Sequence, residues 1–319
     1  MFLAAESYEA GEVKVSRAYD ISDFAAFLKE HGHSESVRGR TEEPSGGENW
    51  PRRPDHRRNE EAGPSRNEND RSRTIYRARN GEYSLRESEV QTLVDVGKFR
   101  MIPADDLARL AYCGDRGRME SDVRNLCRQG LVEQHSIEGH ESYSKQVLSL
   151  SREGHRLLTR ENVVSRRQAI YHGFVKAKEA RHDADLYRLY HKVAKEIDRV
   201  GGKVRRVVLD YELKQELYKK LSRVPSDKDL AYERIRLASE YDLKVVNDKI
   251  PLPDLRIEYE DDCRDVHRLD LEIATRDYRP QGLGEKAKAG FHLFARQQDH
   301  PKLRRVLDTQ EISARIFAL

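Results

Sequence analysis

The chain has 319 residues, enough for two domains, and 36% of them are charged although the net charge is only +3. The mean hydropathy of -0.87 predicts a sizeable solvated fraction, and the balanced charge means that nucleic-acid binding would depend on local arginine clusters. No apolar run has the length of a membrane span, no signal peptide opens the chain and no CxxC pair occurs, so a cytoplasmic protein without a membrane partner is expected.

The first part of the chain changes composition abruptly. Residues 1–33 form a short N-terminal segment in which Phe24 and Leu28 lie on one face of a predicted helix. Residues 34–82 are dominated by Arg, Glu, Asn, Gly, Ser and Pro. We predict a disordered linker there, because such a segment buries too little apolar surface to offset the entropy lost on ordering.

Residues 83–162 contain three short helical patterns followed by two strand patterns that flank a polar turn. The third helical pattern has Met119, Val123 and Leu126 at the spacing of a buried face, and it stops at Gly130. Three helices followed by a hairpin is the order of a winged helix-turn-helix domain, whose third helix enters the major groove of DNA.

The polar face of this third helix is rich in arginine. Arginine and asparagine read base edges in the major groove, and arginine also neutralises phosphate, so the pattern predicts a surface for double-stranded DNA. The tip of the wing would contribute a histidine from the polar turn. The predicted DNA-binding residues are Arg116, Arg118, Ser121, Arg124, Asn125, Arg128 and His140. The alternative is a winged helix that contacts proteins through a merely solvated arginine face.

Residues 163–202 form a predicted connecting helix with a clear apolar stripe, on which His182 is interpreted as a structural residue. Residues 203–319 alternate strand and helix patterns, which predicts a small α/β domain with four or five strands.

Two carboxylates in this last region have the spacing of a known motif. Asp254, preceded by proline, opens one predicted strand, and Glu272 lies on the next strand, on the same face as Asp270. This arrangement resembles the nuclease-like fold named for its PD-(D/E)xK motif. There, two carboxylates hold Mg²⁺ or Mn²⁺ at the scissile phosphate and a lysine orients the attacking water. The resemblance implies that Asp254 and Glu272 are metal ligands and catalytic residues.

The motif is incomplete, because Ala274 stands where the lysine is expected, two residues after Glu272. Lys286 or Lys288, on the following predicted helix, is the candidate to reach back as the catalytic lysine, and Glu212 is the candidate for a further acidic residue. We therefore expect a non-catalytic nuclease-like scaffold. The alternative is a Mg²⁺- or Mn²⁺-dependent DNA endonuclease or nickase.

Residues 85–310 resemble the replication-relaxation proteins of bacterial plasmids and of conjugative or integrative elements. The segments that carry the resemblance are LSLSREGHRLL, ARHDADLYRLYHKV, PLPDLRIEY and LDLEIATRDYRPQGLGEKAKAGFHLFA. Glu272, Thr275 and Lys286 match the last pattern, whereas Ala274 replaces its expected aspartate. The resemblance implies a DNA-associated protein that acts in replication or mobilisation of a mobile element, or in its transcriptional control, with replication or mobilisation proteins as partners.

The predicted fold class is α+β, with an N-terminal winged helix-turn-helix domain and a C-terminal small α/β domain of the nuclease-like PD-(D/E)xK type. No cofactor is indicated apart from Mg²⁺ or Mn²⁺ at the carboxylate pair. Winged-helix proteins often bind two half-sites as dimers. A homodimer is compatible with this class, although the sequence identifies no dimer interface.

Overall fold

The computed structural model describes Phe24, Ala26, Leu28 and residues 72–78, 81–137, 146–174, 176, 179–224 and 227–319. Within the predicted N-terminal helix, the three described positions are helical, and Phe24 and Leu28 are buried in the core. Most of the predicted linker, residues 34–71, lies outside the described residues, and so does His140 in the polar turn.

The end of the predicted disordered linker is a β-hairpin. Strand β1 (Thr74–Ala78) pairs antiparallel with β2 (Gly81–Leu85), and Leu85 is buried in the core. The prediction of disorder is wrong for these strands. The missed signal is Asn80 followed by glycine, which is typical of tight hairpin turns. The average composition of the segment does not reveal this short hairpin, in which most of β1 is exposed and only Tyr83 and Leu85 of β2 are buried.

The three predicted helices and the following pair of strands are present. In chain order these elements are α1 (Glu87–Lys98), β3 (Ile102–Pro103), α2 (Ala104–Leu110), α3 (Arg116–Arg128), β4 (Val132–Ser136) and β5 (Gln146–Leu150). The three strands form a sheet in the order β3-β5-β4, and both pairs are antiparallel. Met119, Val123 and Leu126 are buried on one face of α3, as their spacing predicts.

Local sequence signals explain the length of α3. At its start, a carboxylate oxygen of Asp115 accepts a hydrogen bond of 3.0 Å from the backbone N–H of Arg118, which satisfies one free donor of the first turn. Just beyond its end, Gly130 has a φ of 68°, a left-handed conformation that glycine adopts without steric cost. The chain then turns directly into β4.

Helix α4 (Arg152–Arg160) is followed by the long helix α5 (Ala180–Arg199). The predicted connecting helix of residues 163–202 is therefore too long, because residues 163–174 form turns and irregular structure. One side of α5 contacts the N-terminal helices, because Tyr187 and Tyr190 pack on Phe99 with ring centroids 5.3 and 5.0 Å apart. The same apolar cluster continues into the following strands through Ile257. Helix α5 therefore belongs to one core that is shared by both halves of the chain.

The C-terminal half contains a five-stranded sheet and four helices. In chain order its elements are β6 (Lys203–Leu209), α6 (Asp210–Leu221), α7 (Asp227–Glu240), β7 (Leu255–Glu260), β8 (Val266–Ile273), α8 (Pro280–Ala289), β9 (His292–Ala295), α9 (His300–Thr309) and β10 (Ile316–Ala318). The strand order is β10-β9-β8-β7-β6. Strands β6, β7 and β8 are antiparallel neighbours, whereas β8, β9 and β10 run parallel.

The two faces of this sheet have different cover. One face, which includes Leu255 and Leu271, packs in the hydrophobic core that also contains the apolar side of α5. The other face packs against α8 and α9 through Leu293. The described residues contain nine helices and three sheets, so the fold class is α+β, as predicted. Within the same residues, no helix combines the length and the apolar character that crossing a membrane would need.

The close packing around Gly154 leaves no room for a larger side chain. A Cβ atom there would lie 2.3 Å from the carbonyl oxygen of Leu131 and 2.7 Å from a methyl group of Leu150. We expect Gly154→Ala to lower the free energy of unfolding by roughly 1 to 3 kcal/mol, because backbone must move to admit the methyl group. Urea denaturation measures the change. The control is Gly117→Ala in α3, where the nearest atom is 3.8 Å away and stability should stay equal or rise slightly.

Candidate functional site

Asp254 and Glu272 meet at one end of the β7–β8 pair. Leu255 lies opposite Leu271, so Asp254 faces Glu272 one step further along the strands. The backbone N–H of Asp254 donates to Oε2 of Glu272 at 3.2 Å, and Oδ2 of Asp254 accepts from the N–H of Ile273 at 2.9 Å. The register of two antiparallel strands therefore holds the predicted carboxylates side by side.

Lys286 brings a cation to this pair from α8. Its Nζ lies 2.8 Å from Oε2 of Glu272 and also donates to the carbonyl oxygen of Leu252. Ala274, at the motif position of the lysine, is buried in an apolar cluster with residues of α8. Lys288, the other candidate, is exposed on the same helix. Of the two lysines that the sequence offered, the structure brings Lys286 to the carboxylates.

Burial raises the pKa of both carboxyl groups. The pKa of Glu272 rises to about 7, first through desolvation and then through repulsion by Asp254, while Lys286 opposes the shift. The pKa of Asp254 rises to about 6, also through desolvation, and Lys286 and the N–H of Ile273 counteract it. The Glu272 side chain is only 1% exposed. Two adjacent carboxylates that are buried from water are stabilised when one of them binds a proton or when a further cation binds between them.

Tyr278 completes the surroundings of Glu272. Its hydroxyl donates a hydrogen bond to Oε1 of Glu272, and burial together with this carboxylate raises the pKa of the phenol. Both oxygens of Glu272 therefore have donors, because Lys286 contacts the other one. Sequence reasoning assigned no role to Tyr278, which lies in the loop between β8 and α8.

His182, at the start of α5, also reaches the site, and the next residue, Asp183, pairs with Arg100. Nε2 of His182 lies 3.8 Å from Oδ1 of Asp254, and the imidazole side chain is 43% exposed. Asp183 is buried, and its Oδ2 has no hydrogen-bond partner among the described residues. Burial raises the pKa of Asp183 to about 6, although Arg100, with Nε 3.9 Å away, opposes the shift. His182 was interpreted as structural because periodicity cannot show what a helix end faces.

Glu212 does not join the carboxylates, so its prediction as a further acidic residue of the site is wrong. Its carboxylate instead pairs with the guanidinium of Arg206 from β6. The residue of α6 that touches the site is Asp210, whose backbone N–H donates to the carbonyl oxygen of Asp254 at 3.2 Å. Glu212 therefore forms an ion pair with a nearby arginine and does not contact the carboxylates of Asp254 and Glu272.

Asp270 has a separate and structural role. Its carboxylate receives two hydrogen bonds from Arg256, at 2.6 and 2.8 Å, across the β7–β8 pair. Arg256 is itself buried, with 3% of its surface exposed. Of the two carboxylates on this face of β8, Asp270 is therefore neutralised by an arginine and Glu272 by a lysine.

The carboxylate pair suits a shared hard cation better than a permanent metal centre. Among the described residues, no group of three or more His, Cys, Asp or Glu side chains is arranged to hold a metal ion. Mg²⁺ keeps several waters and commonly binds through one or two carboxylates plus substrate phosphates. Asp254 and Glu272 offer this oxygen donor set, and burial, which raises both pKa values, disfavours charged forms that a divalent ion would stabilise.

The predicted DNA-binding residues of α3 form an exposed stripe only in part. Arg118, Ser121, Arg124 and Arg128 are exposed. Ser121, Arg124 and Arg128 follow the i, i+3, i+7 spacing of one helix face. Arg118 has its guanidinium 5.9 Å from the ring centre of Tyr112. Arg124 and Arg128 make no ion pair or hydrogen bond within the described part of the chain, so their charges remain open to a partner.

Asn125, predicted to read DNA, is half-buried and turns its side-chain amide towards α1. Its side-chain amide donates to Oε1 of Glu89 at 2.8 Å, and Glu89 is fully buried on α1. A buried carboxylate needs donors, and α3 supplies one. Arg116 is exposed but engaged, with nitrogens 2.9 Å from Asp105 and 3.0 Å from Glu120. Its charge is therefore partly neutralised by neighbours.

A second buried carboxylate fixes α3 on α1. Asp122 is fully buried and accepts hydrogen bonds from Arg86 at 3.0 Å, from Ser88 at 2.6 Å and from Tyr112 at 3.1 Å. Such a network holds a helix in one orientation, because removing any partner would leave a buried charge short of donors. The exposed arginine stripe of α3 is therefore presented on a rigid base.

Comparison of the chain with models of protein families, with curated proteins and with solved structures finds no match. The fold and the site alone therefore define the class of protein. It is a mixed α+β protein whose N-terminal helices expose arginine and whose larger sheet holds a buried carboxylate pair with a lysine.

The raised pKa values predict how stability depends on pH. A carboxyl whose pKa is higher in the folded than in the unfolded state favours folding when protonated, and this contribution is lost as pH rises through the raised value. From about pH 4 to pH 7, wild type should therefore lose stability relative to Asp254→Asn. At about pH 8 the variant should be more stable by roughly 1 to 3 kcal/mol, and at about pH 4 the two should converge.

Urea denaturation at a series of pH values measures this difference. The matched control is Asp270→Asn, which removes the charge opposite buried Arg256 and should be less stable than wild type at high pH. A wild type that is more stable than Asp254→Asn at high pH would contradict the predicted repulsion at the carboxylate pair.

Proposed function

We propose that this protein binds double-stranded DNA and cleaves it at a Mg²⁺- or Mn²⁺-dependent site formed by Asp254, Glu272 and Lys286. The observation that carries the proposal is the 2.8 Å distance between Nζ of Lys286 and Oε2 of Glu272. The expectation of a non-catalytic domain rested on Ala274. Alanine at this position does not leave the site without a lysine, because Lys286 from the following helix contacts the carboxylate of Glu272.

The strand arrangement supports the nuclease-like interpretation of the C-terminal half. In the motif, an aspartate opens one strand of a hairpin and the acidic residue projects from the next strand. Here Asp254 immediately precedes β7, and Glu272 lies on β8, its antiparallel neighbour. The two strands are joined by the short turn at residues 261–265, so they form a hairpin.

The chain's own residues have distinct roles in this proposal. Asp254 and Glu272 would hold the cation through their carboxylate oxygens, and a bound divalent ion would supply Lewis-acid chemistry at the scissile phosphate. Lys286, only 19% exposed, keeps an ammonium group where negative charge develops on the phosphate. Tyr278 fixes the orientation of the Glu272 carboxylate through its hydrogen bond. His182 stands at the exposed rim beside Asp254, where it can contact the phosphate backbone.

DNA binding is supported by α3 and the elements around it. The order of three helices and a hairpin, with a sheet in the order β3-β5-β4, is compatible with a winged helix-turn-helix domain. The charges of Arg124 and Arg128 are exposed and without a partner among the described residues. Unpaired arginines on the third helix are suited to phosphates and to guanine edges.

The proposed cellular role is replication or mobilisation of a plasmid or another mobile element, or its transcriptional control. It is supported by the sequence resemblance over residues 85–310, and its partners would be replication or mobilisation proteins. A homodimer that reads two half-sites is part of the same proposal.

A plasmid assay tests the proposed cleavage. Supercoiled plasmid incubated with wild type and Mg²⁺ or Mn²⁺ should become nicked or linear, as seen on an agarose gel. Glu272→Gln and Lys286→Met should each slow the reaction by roughly 100-fold or more, because each removes charge that acts on the transition state.

The matched controls for this assay lie on α8. Glu285→Gln and Lys288→Met change surface charges on the helix of Lys286 and should leave the rate unchanged. Equal cleavage by wild type and Glu272→Gln would contradict the proposed site. DNA binding without cleavage by wild type in either metal would favour the second candidate, a DNA-binding protein with a non-catalytic nuclease-like domain.

A salt titration tests the proposed DNA surface. The double variant Arg124→Ala, Arg128→Ala should bind duplex DNA more weakly than wild type. Its plot of log affinity against log salt should be shallower by about one unit for each phosphate that the variant no longer neutralises. The control is Arg305→Ala, an exposed arginine on α9. Unchanged affinity and slope in the double variant would show that α3 does not bind DNA.

A further inference from the structure

Tyr211, in the first turn of α6, presents an aromatic ring to solvent. Its side chain is 51% exposed, although the ring is braced by two neighbours. The guanidinium of Arg100 lies over it, 5.9 Å from the ring centre, and Tyr171 meets it edge to face at 6.1 Å. Tyr232 on α7 is more exposed, at 72%, and has no ring or cation contact of this kind in the described residues. Tyr211 is therefore held in one orientation with part of its surface open.

Arg100 and Tyr171, the two residues that contact the ring of Tyr211, are themselves held by other contacts. Arg100 forms an ion pair of 2.7 Å with Glu179, just before α5. The backbone N–H of Tyr171 donates to the carbonyl oxygen of Gly97 at 2.7 Å, which fixes the chain at this residue.

Tyr211 follows directly on a residue that contacts the carboxylate pair. The preceding residue, Asp210, donates its backbone N–H to the carbonyl oxygen of Asp254 at 3.2 Å. From the other side, Arg100 reaches Asp183, the neighbour of His182, whose imidazole faces the carboxylate of Asp254. A strand of DNA whose phosphate lies at Asp254 would therefore pass next to Tyr211.

We infer that Tyr211 stacks on an unpaired base of the DNA strand at the site, which makes DNA with unpaired nucleotides the preferred substrate. This inference rests on the proposed function and specifies its substrate class. Every base has a flat π-face, so stacking on tyrosine tolerates any sequence. Bases in an intact duplex must be unstacked and unpaired at an energetic cost before they reach a side chain, whereas bases in a bubble or single-stranded region are already unpaired.

Binding measurements without divalent cation test the inference separately from cleavage. Fluorescence anisotropy compares the full chain on a paired duplex and on the same duplex with a central unpaired bubble. Wild type should prefer the bubble by roughly 5- to 150-fold, the range expected for stacking of one base. Tyr211→Ala and Tyr211→Leu should lose this preference while keeping their affinity for paired duplex. Tyr211→Phe, which keeps the aromatic face, should retain it.

A 2-aminopurine base in the bubble reports stacking directly, because stacking quenches its fluorescence. The complex with wild type or Tyr211→Phe should be dimmer than the complex with Tyr211→Leu. The control Tyr232→Ala, on an exposed and unbraced tyrosine, should match wild type in both measurements.

The outcomes separate this inference from the proposed function. A wild type that binds both DNAs equally, or a Tyr211→Leu variant that keeps the bubble preference, overturns the stacking role and leaves duplex binding intact. A wild type that binds neither DNA overturns the proposed function and this inference with it. Absence of plasmid cleavage leaves the stacking result unaffected, because no divalent ion is present during binding.

Discussion

The burial of Glu272 is the constraint on which the C-terminal half depends. A carboxylate that is 1% exposed is costly unless hydrogen-bond donors and a countercharge surround it. Its donors come from different elements: the backbone of Asp254 beside β7, Tyr278 in the loop after β8, and Lys286 on α8. All of these elements must be in place for the charge to be tolerated. The same contacts that stabilise the fold therefore assemble the candidate site.

Helix α5 extends this constraint to the rest of the molecule. Its tyrosines pack on Phe99 of the N-terminal half, and Arg188 forms an ion pair of 2.7 Å with Asp106 of α2. Its first turn carries His182 to the carboxylate of Asp254. One rigid helix thus relates the arginines of α3 to the candidate site. In the proposed function, this geometry would set where bound DNA is cut relative to where it is recognised.

Arginine has two different uses in this protein, and only structure separates them. Arg256 lies buried against Asp270, and Arg86 donates to buried Asp122, so both neutralise internal carboxylates. Arg124 and Arg128 are exposed and make no such contact within the described residues. A net charge of only +3 conceals this division, because internal pairs cancel in the total while unpaired surface arginines still attract phosphate.

The amino-acid sequence by itself determined the three helices and the strand pair of residues 83–162 and the buried face of α3, because hydrophobic periodicity and strand alternation act within single elements. It paired Asp254 with Glu272, and named Lys286 as a candidate, through the resemblance to a motif. Tertiary structure alone decided that Asn125 turns inward to Glu89 and that Glu212 pairs with Arg206. Tyr278 and Tyr211 likewise acquire their positions only when other elements arrive beside them. A local pattern shows which residues share a face of a helix or strand. The partner of a buried charged residue depends on distances in the folded structure, and the spacing of residues along the chain does not determine those distances.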